Sequence, residues 1–405
     1  MTTVAIITEY NPFHMGHEYQ IKRVREIFGE DTAIIAIMSG NFTQRGEPAI
    51  ADKTLRSKAA VECGVNLVLE LPFPYSISSA EFFASAGVHI ADELGVVDYL
   101  VFGSELGESD ELMSVAENMS SDAFLNKLSL LMQDEKYSNV GYPRLCEVAY
   151  KEIYGESCIS NLFSPNNILA IEYIKSLKKI NSKIIPYTIQ RVGAGYNEDI
   201  SEKECYQSAS AIRGELYLDS NSALEYLPNK LKSIYSDAIS SGKMPSDISR
   251  LDTAVISYFR LNSPVCAPDI QDAGGGLYNR LYALSKKANS ISSLASMAET
   301  KKYTNARIKR AIWSSYFGVT SSDVRTLPGY TQVLAMDTLG MSLLQRMKKV
   351  SGIYVITKPS AYKSLPCEVV RQKELCNKAD SVFGLLLKSP NSGDFASTFT
   401  PYVKK

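Results

Sequence analysis

Two of the three histidines in this 405-residue chain stand close together near its beginning, in the motif His-Met-Gly-His. His14 and His17 follow an apolar run at residues 4–7 and a turn that contains Pro12, and a helical pattern begins directly after them. Gly16 allows a phosphate to approach the backbone, and a helix N-terminus offers free N–H groups and a partial positive charge. Two imidazoles on the first turn can donate to phosphate oxygens as charge builds in a displacement at phosphorus. We therefore interpret the motif as a nucleotide site.

The histidine pair also has a structural interpretation, in which one ring caps the helix and the other packs against the sheet. A four-letter motif alone is a weak signal. The strand before it, the helix after it and the motifs downstream favour the nucleotide site.

A second candidate is the loop 39–48, which follows the apolar run at residues 32–38. It holds two glycines, several hydrogen-bonding side chains and Arg45. In a doubly wound sheet this loop lies beside the first one, so we interpret it as a substrate-binding loop. A long surface connection is the alternative. Lys53, in the first turn of the next helix, either neutralises a phosphate or is solvated.

Three further positions fit a nucleotide. Gly103 ends the fourth strand, where a glycine lets a flat base such as adenine lie against the backbone, although strand-end glycines are also common without a ligand. Asn166 heads a helix and either hydrogen-bonds the nucleotide or is a plain cap. Arg191 ends a strand, and its guanidinium could pair with a phosphate or a carboxylate.

The segment 208–213, Ser-Ala-Ser-Ala-Ile-Arg, opens another helix. We expect Ser210 to cap this helix, Ser208 to offer a second hydroxyl, and Arg213 to reach the same oxyanion from one turn further on. A helix N-terminus with two hydroxyls and a guanidinium could bind the leaving pyrophosphate. An ordinary serine-capped helix is the alternative, and it would be preferred without the histidine pair.

A basic run lies at residues 301–310, and two aromatic residues, Tyr303 and Trp313, accompany it. A solvated helix face is the usual meaning of such a run. Aromatic side chains among the cations raise the prospect that the patch contacts an RNA backbone. The cations proposed for RNA binding are Lys301, Lys302, Arg307, Lys309 and Arg310.

The composition limits the function classes. A net charge of −1 excludes a globally basic nucleic-acid binder, so any RNA contact must come from a local patch. Seven scattered cysteines without a C-x-x-C pair predict reduced thiols, with neither a disulfide framework nor a zinc site. No apolar stretch approaches the roughly 18 residues of a membrane span, and the chain opens into a strand without a signal peptide. We expect a cytoplasmic protein without membrane contact.

Short apolar runs alternate with helical patterns through the first hundred residues, which predicts a doubly wound parallel sheet of the α/β class covered on both faces. Ligands of such sheets bind outside the carboxyl ends of the strands, where the first loop and Gly103 both fall. Strand signals fade later in the chain. We therefore predict a catalytic domain over residues 1–220 and a mainly helical C-terminal domain over residues 221–405.

Four segments together resemble the bacterial tRNA(Met) cytidine acetate ligases, a family of the nucleotidyltransferase superfamily with the H-x-G-H signature. They are residues 9–17 (Glu-Tyr-Asn-Pro-Phe-His-Met-Gly-His), 38–48, 102–105 and 165–169. The resemblance is dense over the first two hundred residues and looser beyond, where Lys302-Tyr303-Thr304-x-x-Arg307 is the clearest match. It implies a Rossmann-like sheet of the HUP type.

The resemblance also implies a reaction. Acetate and ATP would give acetyl-adenylate and pyrophosphate, and the acetyl group would pass to the exocyclic amine of the wobble cytidine of elongator tRNA(Met). Mg²⁺ would accompany the ATP, no metal-binding residue is assigned, and a homodimer is left open. The catalytic residues would be His14, His17, Ser210 and Arg213. ATP binding would fall on Ile7, Thr8, Glu9, Tyr10, Asn11, Pro12, Phe13, His14, Met15, Gly16, His17, Glu18, Tyr19, Gln20, Gly103, Asn166, Arg191 and Val192.

The chain departs from related patterns at two points. Met15 occupies the variable position of the motif, which is tolerable. The K-M-S-K-S loop of class I synthetases is absent, and the segment 208–213 resembles its substitute in the small adenylyltransferases.

Two competing functions remain. A small-molecule adenylyltransferase would need no RNA, but such enzymes are compact and lack a large helical C-terminal part with a basic run. A nucleotide-binding sensor would perform no chemistry, which the intact histidine pair disfavours.

Overall fold

The computed structural model describes residues 1–155, 162–191, 207–264, 269–391, 393 and 398–405. In these residues one sheet has the strand order β10-β8-β5-β2-β1-β6-β7, with β9 paired to β8, and β3 and β4 form a separate hairpin. The strands are β1 (Thr3–Thr8), β2 (Ala33–Ser39), β3 (Phe42–Thr43), β4 (Glu47–Pro48), β5 (Leu67–Leu71), β6 (Tyr99–Ser104), β7 (Ile185–Gln190), β8 (Tyr330–Met336), β9 (Tyr354–Ile356) and β10 (Tyr402–Val403).

The central strands form because their apolar, largely β-branched side chains are covered on both faces. Every residue of β2 and of β5 is buried, as is nearly all of β1. Parallel pairing joins β1 to β2 and β6, β2 to β5, and β6 to β7. Continuous apolar runs of this kind are typical of parallel strands between two helical layers.

Seventeen α-helices surround the sheet within the described residues. They are α1 (Met15–Phe28), α2 (Lys53–Glu62), α3 (Ala80–Glu93), α4 (Ser109–Ser120), α5 (Asp122–Gln133), α6 (Tyr142–Tyr154), α7 (Pro165–Lys179), α8 (Ala209–Leu218), α9 (Ser220–Ala223), α10 (Asn229–Ser240), α11 (Asp252–Leu261), α12 (Leu277–Ser285), α13 (Ile291–Ala298), α14 (Asn305–Phe317), α15 (Ser321–Arg325), α16 (Thr338–Val350) and α17 (Cys367–Phe383). None of them combines the length and apolar character that crossing a bilayer requires.

The strand order places the ligand crevice. From β1 the chain moves to β2 and β5 on one side, and then returns to β6 on the other side of β1. The loops after β1 and β6 therefore diverge at the carboxyl edge of the sheet, and a doubly wound sheet binds its ligand at such a switch point. The first loop and Gly103 flank this crevice. The predicted doubly wound α/β sheet is confirmed.

The second half of the chain contributes more to the sheet than its sequence indicated. Strands β8, β9 and β10 lie beyond residue 220, and β8 pairs antiparallel with β5. The predicted boundary between residues 220 and 221 is therefore not a boundary of the sheet. The segment 221–405 is otherwise mainly helical, and its division from the first segment as a folding unit stays a prediction.

Helices α11 to α14 and α17 enclose a core of their own, and this core is joined to the sheet through the loop after β2. Trp313 of α14 is fully buried, and its indole Nε1–H donates to the Gly46 carbonyl at 3.0 Å. Phe42 of β3 packs against the same indole, with ring centroids 5.1 Å apart. The helical segment is thus docked directly beside the carboxyl edge of the sheet.

Gly46→Ala should weaken this docking. Gly46 has a φ of +76°, and a Cβ there would lie 2.5 Å from the Lys309 Cβ and 2.6 Å from the Arg310 nitrogen. Left-handed strain and overpacking together should lower the free energy of unfolding by about 2–4 kcal/mol. Gly318→Ala is the matched control because its φ is +70° with no atom within 4 Å, so only the strain applies. Urea unfolding measures both; equal losses would show that the contact with α14 does not matter.

Candidate nucleotide site

The two histidines lie face to face at the mouth of α1. His14 is the N-cap residue, and its Nδ1 accepts the Gly16 N–H at 3.1 Å. The Nδ1 of His17 accepts the His14 N–H at 3.3 Å, so the two side chains form a reciprocal capping box. Their ring centroids are 3.8 Å apart. Capping therefore brings the two imidazoles together.

These hydrogen bonds settle the protonation of both rings. Each Nδ1 accepts a backbone N–H, so the ring proton of a neutral imidazole must lie on Nε2. Burial, with Arg191 and Arg213 nearby, lowers the pKa of His14 to about 4, and burial lowers the pKa of His17 well below its usual range. At neutral pH the pair offers two uncharged Nε2–H donors. The capping and phosphate-binding interpretations use different nitrogens, so they are compatible.

The turn before the histidines is held from several sides. Tyr10 has a φ of 45° and is buried, with its ring centroid 4.8 Å from that of Phe13 and 4.9 Å from that of His17. The Asn11 side-chain oxygen accepts the Ile50 N–H at 2.7 Å. The path of the chain between β1 and α1 is therefore fixed by packing and by a hydrogen bond to the segment before α2.

Sequence reasoning missed Arg56, which lies fully buried on α2. Its guanidinium donates to the carbonyls of Ala51 at 3.0 Å, Glu9 at 2.6 Å, Ser39 at 3.1 Å and, more closely, Gly40. The side chain therefore ties the carboxyl end of β1 to that of β2. An arginine inside a helical pattern carries no sequence signal for such a role.

Neither predicted role for Lys53 was correct. The side chain is fully buried, and its Nζ lies 2.6 Å from Glu70 Oε1 and 2.7 Å from Asp380 Oδ2. Burial alone would lower the pKa of Lys53, but the two carboxylates outweigh it and raise this pKa well above its usual value. The lysine thus anchors α17 to the sheet and is not available to a phosphate or to solvent.

The loop 39–48 belongs largely to the same scaffold. Asn41 donates to Asp380 at 2.9 Å and accepts the Lys53 N–H at 2.7 Å. Gly46 is held by α14, as described above. Arg45 is exposed. A substrate-binding role for this loop stays a prediction.

Gly103 and Arg191 are brought together at the carboxyl ends of β6 and β7. The Arg191 N–H donates to the Ser104 carbonyl at 3.0 Å, and a Cβ on Gly103 would lie 3.1 Å from the Arg191 Cγ. The arginine stem therefore already covers the glycine that was expected to lie under a base. Val192 lies outside the described residues.

The segment 208–213 reaches the histidine loop, but its two serines have exchanged the expected roles. Ser208 is the helix cap and accepts the Ala211 N–H at 3.1 Å. Ser210 lies in the first turn and accepts a hydrogen bond from Arg213 at 3.1 Å. The same guanidinium donates to the Asn11 carbonyl at 2.9 Å. The predicted proximity of Arg213 to the histidines is present, whereas the predicted cap at Ser210 is wrong.

Three of the five cations in the basic run form ion pairs or hydrogen bonds with other parts of the protein. Arg310 is 8% exposed and pairs with Asp272 at 2.8 Å, and Arg307 donates to the Asp272 carbonyl at 3.1 Å and to the Gly274 carbonyl at 3.0 Å. Lys309 pairs with Glu47 at 2.5 Å.

Tyr303 and Trp313 are both buried, so the expectation of aromatic side chains interleaved with an RNA contact is wrong. Lys301 is exposed, and Lys302 is half-buried with its Nζ over the Tyr303 ring. Among the described residues, no ion pair is found for Lys301, Lys302 or Arg307, but the Arg307 guanidinium is held by the Asp272 and Gly274 carbonyls.

Comparison with known families agrees with this geometry. The model of the HIGH nucleotidyl transferase family matches residues 1–396. A protein of Clostridium novyi named tRNA(Met) cytidine acetate ligase is 37% identical over the full length of both chains. A protein of the same name from Thermoanaerobacter sp. is 36% identical over 90% of each chain.

A solved structure is similar over the whole chain. It is the crystal structure of Thermotoga maritima TmcAL bound with α-thio ATP, with a TM-score of 0.90, 28% identity and complete coverage of both chains. The apo structure of the same protein has the same TM-score, with 29% identity.

Burial of the neutral His14 ring should make stability depend on pH. Its pKa is about 4 in the folded protein against an ordinary value of 6.5, so the unfolded chain binds a proton that the folded chain refuses. The free energy of unfolding should therefore fall as the pH drops from about 6.5 to about 4, by at most about 1.4 kcal/mol per pH unit from this residue. His14→Asn keeps a helix cap but does not titrate. Unfolding curves across this range should be steeper in pH for the wild type; equal slopes would contradict the assignment.

Proposed function

The chain belongs to the HIGH nucleotidyl transferase family and, within it, to the tRNA(Met) cytidine acetate ligases, and we propose that its β1–β6 crevice carries out both steps of that reaction. ATP and acetate form acetyl-adenylate, and the acetyl group is then transferred to the wobble cytidine of elongator tRNA(Met). The proposal rests on the pair of neutral imidazoles at the N-terminus of α1, whose Nε2–H groups have no hydrogen-bond partner among the described residues.

In the first step an acetate oxygen attacks the α-phosphorus of ATP. The bond from this phosphorus to the bridging oxygen breaks, and pyrophosphate leaves. His14 and His17 donate their Nε2–H groups to the α-phosphate oxygens, where negative charge builds in the transition state. Arg213 and Ser210, which are hydrogen-bonded to each other, would hold the leaving pyrophosphate.

In the second step the exocyclic amine of cytidine attacks the acetyl carbonyl. A C–N bond forms, the bond to the AMP oxygen breaks, and the amine loses a proton. No protein nucleophile is needed, since the mixed anhydride is already activated. The protein supplies orientation and charge stabilisation.

Mg²⁺ would be held mainly by the triphosphate, as is usual for this ion. The Glu9 carboxylate, which lies just before the histidine loop in the sequence, is a hard oxygen ligand that could hold the ion, and its Oε1 accepts the Gln44 N–H at 2.7 Å. Burial raises the pKa of Glu9, and a cation would favour its charged form. When bound, the ion would neutralise phosphate charge. The buried acidic group on β5 and α17 does not fit this purpose, because Lys53 already occupies it.

The tRNA contact is assigned to the surface around Lys301 and Lys302. Lys309 and Arg310 form ion pairs within the fold, and the Arg307 guanidinium donates to two backbone carbonyls, so we assign the phosphate contacts to the two lysines. A tRNA substrate and the free thiols of Cys63, Cys146, Cys367 and Cys376 together support a cytoplasmic location. A homodimer stays a prediction.

Replacing either histidine of the pair by asparagine should stop the first step. Asparagine places an acceptor where Nδ1 lies, so the helix cap is kept, but it has no atom at the Nε2 position. Acetate-dependent ATP–pyrophosphate exchange should fall about 10²–10³-fold in His14→Asn and in His17→Asn. His89→Asn, which changes the third histidine in the middle of α3, is the matched control and should keep full exchange. Near wild-type exchange in either site variant would overturn the proposed mechanism.

Charge reversal at Lys301 and Lys302 should separate the two steps. The double variant to Glu should lower tRNA acetylation at least tenfold and make it more sensitive to salt, because phosphate contacts are lost. Acetate-dependent exchange should stay within twofold of the wild type. Lys286 and Lys287 form a matched control pair, since they are exposed adjacent lysines and Lys286, like Lys302, lies over a tyrosine ring. An equal loss in both double variants would show that the effect is not local.

A further inference from the structure

A carboxylate at the end of β6 organises the opposite side of the crevice. Glu105 directly follows β6, and its Oε2 accepts the Ser164 hydroxyl at 2.7 Å and the Asn167 N–H at 3.2 Å. Its Oε1 accepts the side-chain N–H of Asn166. In return, the Asn167 side-chain oxygen accepts the Glu105 N–H at 2.9 Å. The first turn of α7 is therefore locked to the end of β6.

This contact fixes which way the Asn166 amide faces. A carboxylate that receives three donors acts as an acceptor, so the Asn166 Nδ2 must point to it. The Asn166 Oδ1 then points away from Glu105. This side chain is half-buried, and no hydrogen bond to its oxygen is found among the described residues. The amide thus presents a hydrogen-bond acceptor beside the β6 loop.

The acceptor lies on the nucleotide side of the fold. Gly103, two residues before Glu105, is covered by the Arg191 stem, and Arg191 adds to the effect of burial in lowering the pKa of both His14 and His17, so its charge lies near the pair. The β6 loop and the histidine loop flank the same crevice. A nucleotide whose α-phosphate meets the histidines can extend its base along this side.

We propose that Glu105 is a positioning residue for base selection, which orients Asn166 so that its Oδ1 accepts a hydrogen bond from the 6-amino group of adenine. This inference rests on the proposed function, because it takes ATP as the nucleotide of the crevice. A 6-oxo purine presents an acceptor at the same position. The 6-oxo group would face the Asn166 oxygen without a hydrogen bond, so a nucleotide with a 6-oxo purine would bind more weakly.

The hydrogen bonds around Glu105 also determine how the amide of a glutamine at position 105 must be oriented. The Asn167 N–H can only donate, so the glutamine oxygen must take the place of Oε2. The glutamine NH₂ group then faces Asn166, which has to turn its own oxygen towards it. Asn166 now presents its NH₂ group to the base. Glu105→Gln should therefore shift the preference from a 6-amino to a 6-oxo purine, which loss of a structural contact alone would not do.

The test is equilibrium binding of ATP and inosine triphosphate to the full-length protein, without acetate or tRNA. The wild type should bind ATP about tenfold more tightly, the strength of one hydrogen bond. In Glu105→Gln the ratio should fall to one or reverse. Asn166→Asp should also lose the preference, because two carboxylates would repel each other. The double variant Glu105→Gln with Asn166→Asp should restore it, since the glutamine NH₂ group can donate to the aspartate and the second aspartate oxygen faces the base.

Glu108→Gln is the matched control, because this glutamate is exposed on the same loop and caps nothing with its side chain. It should keep the tenfold ratio. A Glu105→Gln protein that still prefers ATP tenfold would overturn the inference, as would a double variant that fails to recover the preference lost in the single variants.

If Glu105→Gln does not fold, Asn166→Ala provides the test. This variant keeps the hydrogen bonds of Ser164 and Asn167 to Glu105, so we expect it to fold. Equal binding of ATP and inosine triphosphate by this variant supports the inference, and a retained tenfold ratio contradicts it. Failure of the wild type to bind ATP at all would instead refute the proposed function itself, so the two failures are distinguishable.

Discussion

The buried guanidinium of Arg56 is the contact on which the geometry of the crevice depends. Two loops must leave the carboxyl ends of β1 and β2 in fixed directions. The backbone carbonyls at these strand ends need hydrogen-bond donors from outside the sheet. Arg56 supplies the missing donors to Glu9, Ser39 and Gly40 at once. Burial lowers its pKa to about 10, so it stays charged at neutral pH. No carboxylate lies at ion-pair distance from it within the described residues, although Asp52 and Glu9 are near enough to favour its charged form.

Above this anchor, the histidine pair combines a structural role with the proposed chemical one. Each ring uses Nδ1 to cap α1, which leaves Nε2 for the proposed contact with the α-phosphate. The cap holds both rings at the helix mouth before ATP arrives, so little reorganisation is needed when charge develops on the phosphate. Burial, together with the positive charge of Arg191, lowers the pKa of both rings and explains why they are neutral in the free protein. The negative charge of a bound triphosphate would raise the pKa of both histidines again.

Much of this arrangement could be predicted from the sequence because it is encoded locally. Three short patterns carry it: the apolar run of residues 4–7, the spacing of the two histidines and the serine-rich start of α8. The parallel sheet places these segments at one edge. The resemblance to a known family supplied the reaction. The roles of Ser208 and Ser210 were exchanged because a helix can begin at either serine, and a shift of two residues lies beyond what a pattern resolves.

The remaining features depend on partners far away in the sequence. Lys53 meets Asp380 more than three hundred residues later, and β8 joins β5 from the other half of the chain. Arg310 looks like a surface cation until Asp272 is placed beside it. A charged residue in a helical pattern has the same local signature whether it faces solvent or a buried carboxylate, so only the tertiary structure distinguishes these cases.

The proposed chemistry requires that both imidazoles of the pair are neutral and carry their proton on Nε2. Nitrogen-15 NMR of the histidine side chains in the free protein at pH 7 tests this directly, and a chain with three histidines gives a simple spectrum. We expect an unprotonated Nδ1 and a protonated Nε2 for His14 and for His17. A protonated Nδ1 in either ring, or an imidazolium signal, would contradict it.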